Sequence, residues 1–475
     1  MKNQTLKTYL WIGTSLLSSF LFYGQGAGLN FLLYSLVFVA ISFVLYPELR
    51  QSASGWFITA GYLLTAVGVV WHHSWLAILL YLFSFIALAG FCAYPRTSLG
   101  IALPNGFYAA GLSFWRREWL NRKAKQQGSL TPARVMSWLV PVFITTLFLM
   151  LYIGGSPAFA ALFTQTEIEV ISFGRIVFTL VSAYLLLGIF YPTGIQSLIQ
   201  LDQRIPNLLL RHRQAQKQRA FNTIGLKYEY RSGWLLFILL NGLLLLFNGV
   251  DTYHLWTGKL PQGVTYSEYV HQGVNALIIS IILAISIVMY FFRGNLNFYH
   301  RSRRLKLVAY AWVAQNVFLV LATAYKNSLY IDAYGLTQKR IGVYVYLLMT
   351  LVGLFFTYVK VREIRTNAFL LRYTSWAFYA ILAGLTLFNW PRFITKYNLT
   401  NLPAEQIDFQ YLSYISDHNL DLLQDALVNP NYHIAASTRE NIMNEISHFR
   451  YTESWQDWRS WNYADEQVMI NLDYQ

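Results

Sequence analysis

Residues 75–93 read WLAILLYLFSFIALAGFCA, a run without a single charge. A bilayer core of about 30 Å takes roughly 20 apolar residues as a helix. The run lacks the alternation of a barrel strand, and backbone groups in hydrocarbon must be satisfied within the segment, so it predicts a transmembrane helix. Ten further runs of this kind flank it, at 9–23, 29–46, 55–71, 134–154, 171–192, 233–249, 272–292, 305–326, 341–359 and 374–390. The expected fold is all-α, a polytopic transmembrane helical bundle of about eleven spans. The first run follows Lys2 and Lys7 and ends near Gly24-Gln25-Gly26-Ala27-Gly28, which resembles a signal-peptide cleavage region. A second apolar run starts at once at Leu29, so a helical hairpin with a glycine-rich turn is the reading.

Composition agrees. Of 475 residues, 55% are hydrophobic and 12% charged, against roughly 25% charged in an average soluble protein. That scarcity of charge argues against a water-soluble globular fold. The net charge of +14 hides two unlike parts. Residues 392–475 hold 5 Lys/Arg and 12 Asp/Glu, whereas residues 1–391 hold 31 and 10. The basic residues lie in short loops between apolar runs, which points to membrane topology rather than nucleic acid. With the N-terminus cytoplasmic, the inside segments carry 26 Lys/Arg and the outside loops only Lys259, Lys326, Lys339 and Arg340. The expected setting is the bacterial inner membrane, with the bilayer as partner and the acidic tail on the periplasmic side. The domain reading is a membrane part over 1–391 and a small helical extracytoplasmic C-terminal domain over 392–475.

Two basic loops, FWRREWLNRKAK at 114–125 and RIPNLLLRHRQAQKQR at 204–219, are readable as amphipathic helices on the anionic leaflet or as plain positive-inside anchors. In the tail, Ser437-Thr438-Arg439-Glu440 is a capping-box pattern that opens a helix with Ile442, Met443 and Ile446 as its stripe. Residues 405–416 and 418–428 predict two more short helices. Trp455, Trp458 and Trp461 recur every third residue and would share one helical face, as a small core or at headgroup level.

Motifs for chemistry are sparse. There is no phosphate-binding glycine loop, no HExxH and no GxSxG. The single cysteine, Cys92, excludes an internal disulfide and a cysteine-based zinc site. No cofactor or metal is expected, and no catalytic residue is assigned. An outer-face polar cluster comprises Glu268, His271, Asp332, Tyr334, Thr337 and Arg340; Glu268 and His271 stand three apart, a spacing known from carboxylate metal sites but weak as a single pair. His72 and His73, in the turn between two spans, and Asp251 and His254, after the 233–249 span, are further outer-face groups. Inside the spans the polar residues are Asn241, Gln315 and Asn316, read first as interhelical hydrogen-bond partners and second as a polar cavity. No ionisable group is expected at mid-depth, which weakens an ion-coupled transporter.

Several stretches resemble the bacterial multi-pass membrane family catalogued as domain of unknown function 4173, with its relative 4153. They are Gly154-Gly155-Ser156-Pro157-Ala158-Phe159-Ala160, Ser172-Phe173-Gly174-Arg175, Tyr266-Ser267-Glu268-Tyr269-Val270-His271-Gln272-Gly273, and Tyr330-Ile331-Asp332-Ala333-Tyr334-Gly335-Leu336-Thr337 closed by Arg340. In the tail they are Lys396-Tyr397-Asn398-Leu399, Asp408, Tyr411-Leu412 and Trp458-Arg459-Ser460-Trp461-Asn462. The resemblance implies a helical inner-membrane protein with no assigned activity, substrate or cofactor. It gives weight to the outer-face residues, where Arg340 is expected to pair with Asp332 or Glu268 and Gly335 to hold a positive φ. Three functions stay open: a non-enzymatic envelope sensor or scaffold with a protein partner on the C-terminal domain, a permease for a neutral or amphipathic solute, and an outer-face enzyme on envelope substrates. The first is the preferred reading.

Overall fold

The computed structural model describes residues 2–112, 173–192, 194–211, 216–257, 266–454 and 457–473, with isolated positions between 141 and 152; at 216–224 and 266–278 it describes the backbone alone. The expected span at 134–154, the basic loop at 114–125, the motif at 154–160 and Trp455 lie outside the described residues, apart from isolated positions of that span.

Among the described residues every regular element is helical, and the only β-type pairing is an isolated bridge between Leu208 and Arg365. In chain order the helices are α1 (Lys2–Phe22), α2 (Leu29–Leu45), α3 (Pro47–Gln51), α4 (Ala53–His72), α5 (Trp75–Ala93), α6 (Leu99–Leu112), α7 (Phe173–Phe190) and α8 (Gln196–Arg204). They continue as α9 (Gln216–Thr257), α10 (Tyr266–Phe291), α11 (Ser302–Tyr334), α12 (Gln338–Arg362) and α13 (Asn367–Leu385). The tail adds α14 (Trp390–Asn401), α15 (Phe409–Tyr414), α16 (Leu420–Val428), α17 (Ala436–Ser454) and α18 (Tyr463–Asp473). Among the described residues six helices are long and apolar enough to cross a membrane, within α4, α5, α9, α11, α12 and α13. Leu29–Leu45, Gly174–Phe190 and Ile279–Phe291 are shorter apolar helices. Helix α9 leaves Leu235, Leu239, Leu243, Leu245 and Leu246 exposed, a surface that only hydrocarbon or another apolar body covers without cost.

The described chain forms two packing units. The first comprises 1–203, 382–388 and 450–470. Its core is an aromatic stack of Tyr34, Phe38, Tyr62, Tyr81 and Phe85. The phenols of Tyr62 and Tyr81 lie 2.8 Å apart, and Ser35 Oγ donates to Tyr81 at 3.2 Å, so the polar tips are satisfied in the apolar interior. Ser52 caps α4 by accepting from Gly55 N, and Ser74 caps α5 by accepting from Ala77 N. His72 bonds the Leu387 carbonyl at 2.8 Å, and His73 ends α4 in the left-handed region.

Tail residues close the turn after α1. The Leu29 N–H donates to the Trp461 carbonyl at 2.9 Å, and Ser460 Oγ donates to Gln25 at 3.1 Å. A Cβ on Gly28 would fall 2.2 Å from the Ser460 carbonyl, so this close backbone approach requires glycine. The three-residue tryptophan spacing does not become one helical face. Helix α17 ends at Ser454, Trp458–Ser460 is a 3-10 turn and Trp461 is extended. Trp458 is 55% exposed, so it forms no core. The backbone turns because Asp457 caps the 3-10 turn and takes the Arg459 guanidinium in a two-point pair at 2.9 and 2.7 Å.

The second unit comprises 204–381, 389–449 and 471–475. Its core joins α9, α10, α11 and α12 around Phe237, Val288, Phe292, Leu305, Trp312 and Val361. Lys360, only 1% exposed, donates from Nζ to the Phe292 carbonyl at 2.8 Å, a cation at the open C-terminal carbonyls of α10. The basic segment at 204–219 is not one amphipathic helix. Residues 205–211 are non-helical, with Leu209 N donating to Ile364 O and Thr366 N to Asn207 O. Pro206 forbids a helical partner there, and α9 begins only at Gln216. These units cut across the compositional boundary at 391/392, which concerns the expected side of the membrane rather than packing.

Candidate functional site

The turn between α11 and α12 gathers several specific contacts. Helix α11 ends at Gly335, whose φ of +79° is accessible to glycine at little cost. Its N–H returns to the Ile331 carbonyl at 2.7 Å. Thr337 opens α12 by accepting from Arg340 N at 3.4 Å. The Arg340 guanidinium lies over the Tyr330 ring, 4.0 Å from its centroid, and donates to the carbonyls of Tyr334, at 2.8 Å, and Gly335. One side chain thus satisfies the last carbonyls of α11, which have no intrahelical donor. The expected ion pair of Arg340 with Asp332 does not form: Asp332 is exposed, and the guanidinium is committed to the carbonyls. Tyr334 is exposed too.

Tail residues of the same unit complete the turn. Asn398 of α14 accepts from Leu336 N at 2.6 Å and donates to Leu336 O at 2.9 Å. The two bonds reproduce a backbone pair from one buried amide. Tyr411 of α15 accepts from Gln338 N at 2.9 Å. Burial raises the Tyr411 phenol above its ordinary range, against the pull of the Gln338 N–H and the nearby Arg340 charge. Behind this contact, Arg392 donates both 2.8 and 2.7 Å bonds to the buried Asp421 carboxylate, which also accepts from Asn471 at 2.6 Å. Asn419 donates to Thr395 Oγ1 and to Leu412 O. The tail segments of this unit are therefore tied by buried polar pairs, not by apolar contact alone.

Glu268 and His271 lie on α10 where the backbone alone is described, so their side chains fall outside the described residues. The intramembrane amides are described. Gln315 Nε2 donates to Asn241 Oδ1 at 2.7 Å, and Asn241 Nδ2 donates to Val308 O at 3.0 Å, both between α9 and α11. Asn316 instead bonds Trp312 O within its own helix.

Sequence reading missed the continuation of this seam. Asn248 Nδ2 donates to Gln315 O at 3.3 Å, and Lys326 Nζ meets Asp251 Oδ1 at 2.5 Å in a largely buried pair. Asp251 and Lys326 were expected in outer loops. They sit instead inside α9 and α11, since both helices run past the apolar windows, to Thr257 and Tyr334. The spacing was the available signal: Asn241, Asn248, Asp251 and Thr252 fall on one face at helical offsets, as do Gln315 and Lys326.

In the comparisons with known proteins, no curated protein and no solved structure matches. A family model does, over residues 58–426. That range takes in the whole turn at 330–340, the seam between α9 and α11, Asn398 and Tyr411. The chain belongs to the family described as Domain of unknown function (DUF4153).

Proposed function

We propose that this is a multi-pass protein of the bacterial inner membrane that acts without catalysis as an envelope sensor or assembly scaffold. The N-terminus is cytoplasmic, and residues 392–475 present an extracytoplasmic surface to a protein partner. The observation that carries the reading is the clasp of Asn398 and Tyr411 on residues 336–338, which ties tail helices to the end of a membrane-type helix pair. A partner bound to those tail helices would act on α11 and α12 through hydrogen bonds rather than through a flexible tether. Helix α17 offers a surface for it: Ile442, Ile446 and Phe449 are buried, whereas Glu440, Met443, Asn444 and Glu445 face out. The shared motifs support kinship with the related family 4173 as well.

The test is a crosslinking pull-down from native membranes with the full chain, a chain ending at Lys396 and the triple variant Glu440→Arg, Met443→Asp, Glu445→Arg. A partner recovered with the full chain and lost with both variants is the expected result. Equal recovery from all three rejects the reading. Reporter fusions check the topology: alkaline phosphatase is expected to be active after residue 475 and inactive after residue 301. A permease for a neutral or amphipathic solute is the second reading, favoured by the polar seam of Asn241, Asn248 and Gln315. Solute flux in proteoliposomes that survives Gln315→Leu unchanged would count against it.

A further inference from the structure

Where α10 passes to α11, residues 293–304 read RGNLNFYHRSRR, a stretch without an acid. Arg293, His300, Arg301, Arg303 and Arg304 are exposed, and the first turn of α11 has no acid either. Among the described residues, Arg301, Arg303 and Arg304 make no ion pair and no side-chain hydrogen bond. Arg293 lies on the Tyr290 ring and meets Glu229 only at 3.9 Å. The backbone beneath these cations is held in place. Asn297 Nδ2 donates to the carbonyls of Phe292 and Gly294, each at 3.0 Å. Leu296 and Leu305 are buried in the core of the unit, and the Tyr299 ring packs on Tyr230. Binding an anion here therefore requires little further ordering of the chain.

The sign of the charge and the surface that continues from it name the occupant. Three arginines within four residues repel one another, so an anion is what they attract. From Arg303 the exposed positions of α11 run on as Leu307, Ala311, Ala314 and Phe318. Their offsets of four, four, three and four residues make one helical stripe. At a rise near 1.5 Å per residue the stripe is about 22 Å long, more than half of a 30 Å hydrocarbon core. A soluble anion would use only the cations, whereas an amphiphile with an anionic head uses both ends. We propose that this site binds one anionic phospholipid, its phosphate held by Arg301, Arg303 and Arg304 and an acyl chain lying along Leu307, Ala311 and Phe318. The site rests on the reading of α11 as a membrane helix and not on the role assigned to the tail.

Native mass spectrometry of the full chain, released from nanodiscs of mixed dioleoylphosphatidylglycerol and dioleoylphosphatidylcholine, tests this with two lipids of equal chains. Retention of the anionic lipid over the zwitterionic one by at least about tenfold is expected, and its loss in the triple variant Arg301→Gln, Arg303→Gln, Arg304→Gln. The control removes the same charge elsewhere, from the exposed Arg50, Arg96 and Arg204, each to Gln, and should keep the preference. Equal retention of the two lipids by the unaltered chain, undiminished preference in the first variant, or an equal loss in the control would overturn the proposal. So would displacement of the lipid by glycerol 3-phosphate at equal concentration, which would mean that the apolar stripe adds nothing. Nanodiscs carry both lipids in both leaflets, so the result does not depend on which side residues 293–304 face. Release of the chain from native membranes by alkaline carbonate would instead refute the membrane reading itself, and the site with it.

Discussion

Asn398 shows how much one side chain carries here. Its amide makes both bonds that a neighbouring strand would offer Leu336, in a place with no strand to offer them. Replacing it by Leu leaves a buried N–H and C=O unpaired, and each is worth about 1–3 kcal/mol. Asn398→Leu is expected to lower unfolding stability of the detergent-solubilised chain by about 2–4 kcal/mol, with Asn398→Asp less damaging because the acceptor survives. The pair of Asp251 and Lys326 behaves differently. Removing one partner by Asp251→Val or Lys326→Met takes this counter-charge from the other in a largely buried place and should cost about 3–5 kcal/mol, whereas the double replacement should come close to the parent. A double-mutant cycle read by thermal unfolding checks this, and two singles that simply add would refute the coupling. Asn398 stood in a quoted motif, yet nothing along the chain says that its partner is 62 residues upstream.

Elements were legible where one local rule decided them. The helix expected from Ser437 to Glu440 is present as α17, but it opens at Ala436, so Ser437 lies inside the first turn and is not its cap; Ile442 and Ile446 are buried as expected and Met443 is exposed. The short helices near 405–416 and 418–428 appear as α15 and α16, each introduced by a 3-10 turn. The tryptophan spacing failed because a helix was assumed where Asp457 and Arg459 build a tight turn instead. That turn has a pH signature. Hydrogen bonds from Arg459, then its backbone N–H and charge, hold the Asp457 carboxyl down at about 2. A carboxyl depressed in the folded state stabilises above its ordinary pKa, near 4, and the contribution is lost as pH falls through about 2. The full chain is therefore expected to melt above Asp457→Asn at pH 6, with the gap closing between pH 4 and pH 2. A gap that stays constant over that window would show that the pair does not support the turn.

At the scale of the molecule, the tail contributes to the packing of α11 and α12, so its removal has a cost beyond any lost partner. A chain ending at Lys396 lacks Asn398 and Tyr411, and the amides of Leu336 and Gln338 lose their acceptors. Hydrogen exchange at 336–338 should accelerate in it, by about tenfold for each 1.4 kcal/mol of opening energy lost; unchanged exchange would mean that the turn stands alone. Apolar run length, the scarcity of charge and the backbone's need for internal partners determined by themselves that this chain is helical and membrane-like, because those are properties of each segment taken singly. The inside–outside charge bias belongs to the same class and underlies the proposed topology. Only the tertiary structure decided that Arg340 caps carbonyls rather than pairing with Asp332, that Asn398 clasps Leu336, and that Asp251 meets Lys326 inside two helices. Each of those choices depends on which helix lies beside which, and a polar group in an apolar interior bonds to whatever donor or acceptor packing brings within 3 Å.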